Sequence, residues 1–455
     1  MSTENLFKDF DSVSAKAWKQ KIQFDLKGAD YNETLVWESP EGIKVKPFYH
    51  ADDEAKTMPA QKTSGWHNGK SIYAGNAVLA NENALMSLEN GAESLIFVIP
   101  STEVKIEELL KDIKIKETPI YFEFQFLSSA YIKKLLEFVG DAKENSYLNI
   151  DIIGNLGRSG NWFLNLEEDH DELNAILGLE AKNTVAVDVS LYQNAGANMV
   201  QQLGYALGHA NEYLNEIDNN SNQLFNITFK VSVGTNYFFE IAKLRALRLL
   251  WNTLAHEYGV CRDCHIIATP TKRNKTLYDY NTNMLRTTTE SMAAVLGGAN
   301  MVCNMPYDAI YHKENDFGNR IAINQLLLLK NESYFDKIDN AADGAYYIEA
   351  LTEQLANKGL ELFKSIEKGG GFLKQLKTHT IQKKIKESAQ KEQAAFESGK
   401  EVLVGTNKFL NEADKMKDSL ELYPFVKTNA RKTLLEPIIE RRLAEDVEQK
   451  RLKDE

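Results

Sequence analysis

The chain has 455 residues, 43% of them hydrophobic and 26% charged, with 53 Lys and Arg against 65 Asp and Glu, for a net charge of −12. That balance argues against nucleic acid or an anionic membrane as the main partner, and no run nears the roughly 18 apolar residues of a membrane span. Three cysteines, an odd number, build no disulfide framework, and Met1-Ser2-Thr3-Glu4-Asn5 has neither a basic nor an apolar leader region, so a cytoplasmic protein is expected.

Residues 1–45 carry Trp18, Tyr31 and Trp37 but too little apolar content to fold alone, so they read as an arm that packs on something else. From about residue 92 to 350, short β-like runs alternate with longer helical stretches. The runs are Ser94–Pro100, Pro119–Phe126, Leu148–Gly154, Thr184–Ser190, Asn226–Val233, His265–Ala268, Asn300–Asn304 and Ala345–Ile348. The spacing predicts an amphipathic helix over Tyr237–Tyr258, where Phe238, Ile241, Leu244, Leu247, Trp251 and Leu254 recur every three or four residues and Gly259 follows as a stop. Eight strand–helix alternations in about 260 residues fit an α/β fold of the parallel TIM (β/α)8 type, with an open doubly wound sheet as the alternative. Ile381–Lys400 and Asp414–Glu455 are charge-rich and helical in pattern, broken by Pro424 and Pro437, and Arg431–Glu455 reads as a solvated helix or frayed tail. The expected division is an arm over 1–45, the barrel over 46–400 and a short helical tail over 401–455.

Strands buried on both faces usually read as continuous apolar runs, whereas these alternate. Ile120, Phe122, Phe124 and Phe126 share one face, with Tyr121, Glu123 and Gln125 on the other. Val185, Val187 and Val189 oppose Ala186, Asp188 and Ser190, and Ile227, Phe229 and Val231 oppose Thr228, Lys230 and Ser232. Asn149 and Asp151 likewise stand against Leu148, Ile150 and Ile152. In a barrel the apolar face must meet the helices, so Glu123, Asp151, Asp188 and Lys230 should converge inside. Two readings stay open on the residues alone: a hydrated pocket with carboxylate acids and bases, or a polar plug in which Lys230 neutralises the acids.

Other motifs have plainer readings. Cys261-Arg262-Asp263-Cys264-His265 has the C-x-x-C-H spacing of haem attachment, and with Cys303 could make half a zinc site, but there is no export signal and no second ligand pair. Asp263-x-His265 echoes the Asp-x-His-x-x-Gly stretch of cobalamin domains, yet Ala268 stands at the glycine position. Leu296-Gly297-Gly298-Ala299 and Gly369-Gly370-Gly371 match no phosphate-binding fingerprint and read as close packing or turns. His67, His170, His209 and His256 read as surface histidines.

Several blocks resemble the methylmalonyl-CoA mutases. Phe238-Phe239-Glu240-Ile241-Ala242-Lys243-Leu244-Arg245-Ala246, with Leu250-Trp251, is similar to the family's helix after the fifth barrel strand. Arg286-Thr287-Thr288-Thr289-Glu290-Ser291-Met292-Ala293-Ala294-Val295-Leu296-Gly297-Gly298 is similar too, as are Asn194-Ala195-Gly196-Ala197 and Tyr347-Ile348-Glu349-Ala350-Leu351-Thr352. Ser398-Gly399 leading to Val404-Gly405-Thr406-Asn407 matches further on. In the arm, Leu26-Lys27-Gly28, Trp37, Glu41-Gly42-Ile43, Pro47 and Tyr49 resemble the family's approach to the barrel. The likeness runs from about residue 15 to 410 and implies a TIM barrel, followed in catalytic members by a flavodoxin-like cobalamin domain.

The departures from that pattern bear on role. Catalytic members end a strand with Gly-Tyr-His, whose Tyr and His contact substrate; the matching positions are Val189, Ser190 and Leu191. Their His-x-Gln-Thr-Ser-Gly is replaced by Ile267-Ala268-Thr269-Pro270-Thr271-Lys272, which puts Ile267 and Thr269 at degenerate positions. Nothing between His50 and Tyr73 resembles their Arg-Gly-x-Tyr. Asp188 replaces a small serine that lines their coenzyme A channel, which favours the polar plug. Only about 50 residues follow the barrel, where a flavodoxin-like domain needs roughly 100, so no cobalamin domain is expected.

The resemblance therefore implies the small, non-catalytic subunit of a heterodimeric mutase, with no catalytic residue, no metal and no cofactor of its own. It also implies a large catalytic subunit as partner, which carries adenosylcobalamin and converts methylmalonyl-CoA to succinyl-CoA in propionate metabolism. The arm, with Trp18 and Trp37, is expected at that interface. The alternatives are a self-sufficient barrel enzyme using Glu123, Asp151 and Asp188 with Lys230, and a regulatory or metallochaperone-like partner that binds a mutase transiently.

Overall fold

A computed structural model describes residues 9–53, 65–218, 226–427 and 430–455. Eight parallel strands form the barrel: β1 His67–Tyr73, β2 Ser94–Ile99, β3 Ile120–Phe124, β4 Ser146–Tyr147, β5 Val185–Asp188, β6 Ile227–Val233, β7 His265–Pro270 and β8 Met301–Cys303. They pair in chain order from β1 to β4 and from β5 to β8, and β8 pairs β1. The β4–β5 seam is closed by a bridge between Ile150 and Val185, and by Leu148 N–H donating to Asn183 O at 2.8 Å and Ile150 N–H to Thr184 O at 2.9 Å. Helices cover the outside, as a parallel barrel requires.

The expected strand faces are observed. Phe122, Val185, Val187, Ile227, Phe229 and Val231 belong to the core between sheet and helices, while Tyr121, Ile267, Met301 and Cys303 form a separate cluster inside the barrel. Two expected strands differ. Ala345–Ile348 is not a strand; it leads into the helix Tyr346–Lys368, and the barrel instead begins with β1. β1 escapes a hydropathy reading because HNGKSIY has few apolar residues. Gly69 is there because a Cβ would lie 2.9 Å from Met301 Sδ. Strand numbers therefore shift by one, so Tyr237–Tyr258 follows the sixth strand. The run from Leu148 also breaks early: Asn149 turns with φ 45°, and the helix Ile152–Ser159 starts after Asp151, whose Oδ1 accepts from Gly154 N–H at 2.8 Å.

The helix Tyr237–Tyr258 has the expected bounds and ends on Gly259 at φ 66°. Its cations do not face water. Lys243 pairs with Glu240 at 2.5 Å, Arg245 with Glu349 at 2.7 Å, and Arg248 donates to Cys264 O at 2.6 Å. Gly297 packs closely on this helix, since a Cβ would meet Leu244 Cδ1 at 2.8 Å.

The arm is joined to the barrel unevenly. Ile43 enters the main core and Trp37 meets Phe239 edge-on at 5.8 Å, whereas the helix Ala15–Asp25 buries no residue. The tail is not frayed. Leu434 and Leu435 N–H donate to Gly160 O, Ile438 to Gly157 O, Arg441 to Asn194 O and Leu443 to Arg273 O, at 2.8–3.2 Å. This strap crosses the loops after β4, β5 and β7. Its charges turn inward: Glu448, in the helix Glu445–Asp454, is buried and pairs with Arg442 at 2.7 Å.

Candidate functional site

At the carboxyl ends of the strands, under the strap, lies a hollow of about 1420 Å³. Enzymes on this fold place their chemistry at this end. Beneath it, toward the amino ends of the strands, the barrel interior is aromatic. Tyr121 stacks on Tyr147 at 4.4 Å, His265 stacks on Tyr147 at 4.6 Å, and Tyr121 O–H and His265 Nε2 share a hydrogen bond of 2.9 Å. Ile96, Ile267 and Met301 fill the space around them. Burial, reinforced by Arg248 and His67, pushes His265 down to about 3, so this imidazole is neutral. The interior is thus closed below by rings and apolar groups, not by the charge cluster alone, and it is open above.

The expected charged residues do converge, as a chain of alternating sign. Lys230 lies 2.8 Å from Glu123 and 3.6 Å from Asp188. Asp188 meets Arg158 at 2.7 Å, and Arg158 reaches Glu440 of the strap at 3.2 Å. Burial alone pushes the Asp188 carboxyl up, but Lys230 and Arg158 outweigh it and hold it below the carboxylate range. Burial draws Lys230 down, and Asp188 and Glu123 more than reverse that. Both groups stay charged at neutral pH.

Asp151 has a different setting. It accepts from His209 Nε2 at 2.9 Å, Tyr213 O–H at 2.7 Å, Gly154 N–H at 2.8 Å and Asp188 N–H at 2.9 Å. Burial favours its protonation, and His209 with the other donors overrides that. His209 is fully buried, against the surface reading, and its Nδ1 lies 2.9 Å from Tyr192 O–H. Sequence reasoning missed this network because Asp151 and His209 lie 58 residues apart and no motif joins them.

The degenerate positions divide. Ser190 donates its hydroxyl to Asp188 Oδ1, and Thr269 faces the hollow. Leu191 is wholly buried in the outer core, and Ile267 is part of the floor. The segment compared with Arg-Gly-x-Tyr lies partly outside the described residues, as do Met1–Asn5. Among the described residues no group of three or more His, Cys, Asp or Glu could hold a metal ion, and no helix is long and apolar enough to cross a membrane. Burial pushes the Cys264 thiol up to about 12 and Cys303 to about 11, so both stay protonated.

The family model for methylmalonyl-CoA mutase matches residues 105–454. Over 92% of its length the chain is 34% identical to the methylmalonyl-CoA mutase small subunit of Porphyromonas gingivalis, covering 73% of that protein. It is 24% identical to the small subunit of Propionibacterium freudenreichii, over 95% of this chain and 74% of the relative. The large subunit of the P. gingivalis mutase is 30% identical over 53% of this chain and 35% of its own length.

Proposed function

Because the chain belongs to the methylmalonyl-CoA mutase family, an isomerase family with small and large subunits, we propose that it is the non-catalytic small subunit of a heterodimeric mutase. In this reading it stabilises a large subunit that binds adenosylcobalamin and interconverts methylmalonyl-CoA and succinyl-CoA, in the cytoplasm and in propionate metabolism. The observation that carries the proposal is the fate of two positions: Ser190 gives its hydroxyl to Asp188, and Leu191 lies in the outer core. The Tyr121–Tyr147–His265 floor adds to it, because a thioester arm lying along the axis would need that space.

The residues at the mouth do not fit a corrin. The backbone of 434–443 is bonded along its rim to Gly157, Gly160, Asn194 and Arg273, and among the described residues no histidine lines the hollow. Cobalamin chemistry is therefore assigned to the large subunit. What weighs against a self-sufficient enzyme is that Asp151, Asp188 and Lys230 are each already paired, with His209, Arg158 and Glu123 in that order, and the Asp188–Lys230 pair stays charged at neutral pH.

The division into arm (1–45), barrel (46–400) and tail (401–455) is part of the proposal. The arm is given the role of partner contact because Trp18 and Phe24 are 50% and 78% exposed on a helix that buries nothing. Two experiments test the reading. Mutase turnover, with adenosylcobalamin supplied, is expected from the pair of subunits and not from this chain alone; turnover by this chain alone would overturn it. Deleting residues 1–40 is expected to abolish co-purification with co-expressed large subunit, and unchanged association would remove the arm from the account.

A further inference from the structure

We propose that Glu41 is a proton-operated latch on the arm: it seats the arm's hairpin on the barrel when protonated and loosens it when ionised. The latch concerns the arm's hold on its own barrel and stands whatever the partner is.

The hairpin pairs Trp37 with Val45 and Glu38 with Lys44. Its turn is closed by Gly42 N–H on Ser39 O and Ser39 N–H on Ile43 O, each at 2.9 Å. Gly42 takes φ 70°, which glycine allows, and this leaves Glu41 at the tip. The hairpin's side chains reach the barrel at three places. Ile43 is 1% exposed in the main core, and Trp37 meets Phe239 edge-on. Glu41 Oε1 accepts from Met199 N–H, at the start of the helix Met199–Asp218. The first two contacts are apolar and do not titrate; the third does.

The Glu41 carboxyl is poorly compensated where it sits. Its contact with Met199 is long at 3.4 Å, and Oε2 is buried with no hydrogen-bond partner among the described residues. On the helix Tyr237–Tyr258, Glu240 is a like charge, and Lys243 is already committed to it at 2.5 Å. Lys243 also donates to Gln193, Gln202 and Ser232 O at 2.8–3.1 Å. On the helix Tyr346–Lys368, Lys358 Nζ comes close to Gly42 yet makes no ion pair among the described residues. The helix Met199–Asp218 supplies the backbone N–H of Met199 and no cation. A carboxylate buried without a cation costs more than a carboxylic acid in the same place. Burial accordingly pushes the Glu41 carboxyl up and Glu240 adds to the rise, while Ser39 and the N–H groups of Glu41 and Met199 offset it in part. A carboxyl held above its ordinary value contributes fully below about pH 4.5, and that contribution is lost as pH rises through the folded value. The hairpin is therefore freed for other contacts on the alkaline side, where only Ile43 and Trp37 keep their hold.

Hydrogen exchange of the full chain at about pH 5 and about pH 8, corrected for intrinsic rates, reads that hold from the amides of Ser39 and Gly42, with β6 amides as the internal reference. Wild-type protection of the hairpin relative to β6 is expected to fall at least about threefold between the two. Glu41→Gln, which keeps the shape and cannot ionise, is expected to be equally protected at both and to exceed wild type at the higher pH. His50→Gln removes the nearest histidine in the chain, whose Nδ1 accepts from Asp52 N–H at 3.1 Å, and is expected to keep the wild-type fall. A wild-type hairpin equally protected at both pH values, a Glu41→Gln chain that still shows the fall, or a His50→Gln chain that loses it would each overturn the proposal. If Glu41→Gln does not fold, the wild-type and His50→Gln profiles decide alone.

Discussion

Replacing Lys230 by Met tests the charged chain at its centre. The ammonium lies 2.8 Å from Glu123 and 3.6 Å from Asp188, and these side chains are 22%, 25% and 13% exposed in that order. At an effective dielectric of about 20 the two separations correspond to gross attractions of about 6 and 5 kcal/mol, most of which offsets the desolvation of three ions. K230M leaves the carboxylates in place without their shared cation. Asp188 still has Arg158 at 2.7 Å, so Glu123 bears the larger part of the loss. The expected destabilisation at pH 7 is about 2–4 kcal/mol, read from urea unfolding. Its pH dependence has a definite sign. Asp188 is held below its ordinary value, so its contribution is present above about pH 4 and fades as pH falls through the folded value. Lys230 is held above its own, so its contribution is present below about pH 10 and is lost at higher pH. The K230M penalty should therefore hold from pH 7 down to about pH 4 and shrink only below that, and adding E123Q should recover at least half of it at pH 7. A variant as stable as wild type at pH 7, or a penalty that grows below pH 4, would refute the reasoning.

Three further outcomes are expected. His265 is neutral in the fold and binds a proton below about pH 6.5 once unfolded, so wild type should lose about 2 kcal/mol through it between pH 8 and pH 5; H265Q should flatten that part of the urea-midpoint profile, and an unchanged slope would show the imidazole is not held neutral. The double change S190Y/L191H, which restores the side chains of the catalytic triplet, should yield no mutase turnover by this chain and cost about 2–3 kcal/mol for an imidazole set in an apolar cluster; a variant with activity or full stability would contradict the placement of Leu191. W18A/F24A should leave the isolated chain within about 0.5 kcal/mol of wild type, because the helix Ala15–Asp25 buries nothing, yet weaken co-purification with the large subunit; a loss of intrinsic stability would mean the arm packs on its own barrel.

The parts legible in the sequence were those where one residue answers to one environment. Val185, Val187 and Val189 against Ala186, Asp188 and Ser190 announce a strand with an apolar outside and a polar inside, and the Glu123–Lys230–Asp188 convergence follows once the barrel closes. β1 was not legible, because Gly69 and Lys70 are set by distant partners: Met301 presses on the glycine, and Glu314 and Asn319 take the lysine ammonium at 2.6 Å each. The strap was misread for a related reason. Arg442 and Glu448 look like solvent charges until the fold brings them together beside Lys275 and Leu277, whose backbone O and N–H they bind. His209 reads as a surface histidine only while Asp151 is read as a free carboxylate.

The two faces of the barrel strands are under separate constraints. Outward residues such as Phe122, Phe229 and Ile266 must fill the space under the helices, so their volumes are held by the packing there. Low in the interior the inward residues meet mainly one another, and there Tyr121, Tyr147, His265 and Met301 fill the axis. A fold of this kind can change the contents of its interior while its outer core is preserved. The upper interior stays hollow and charged.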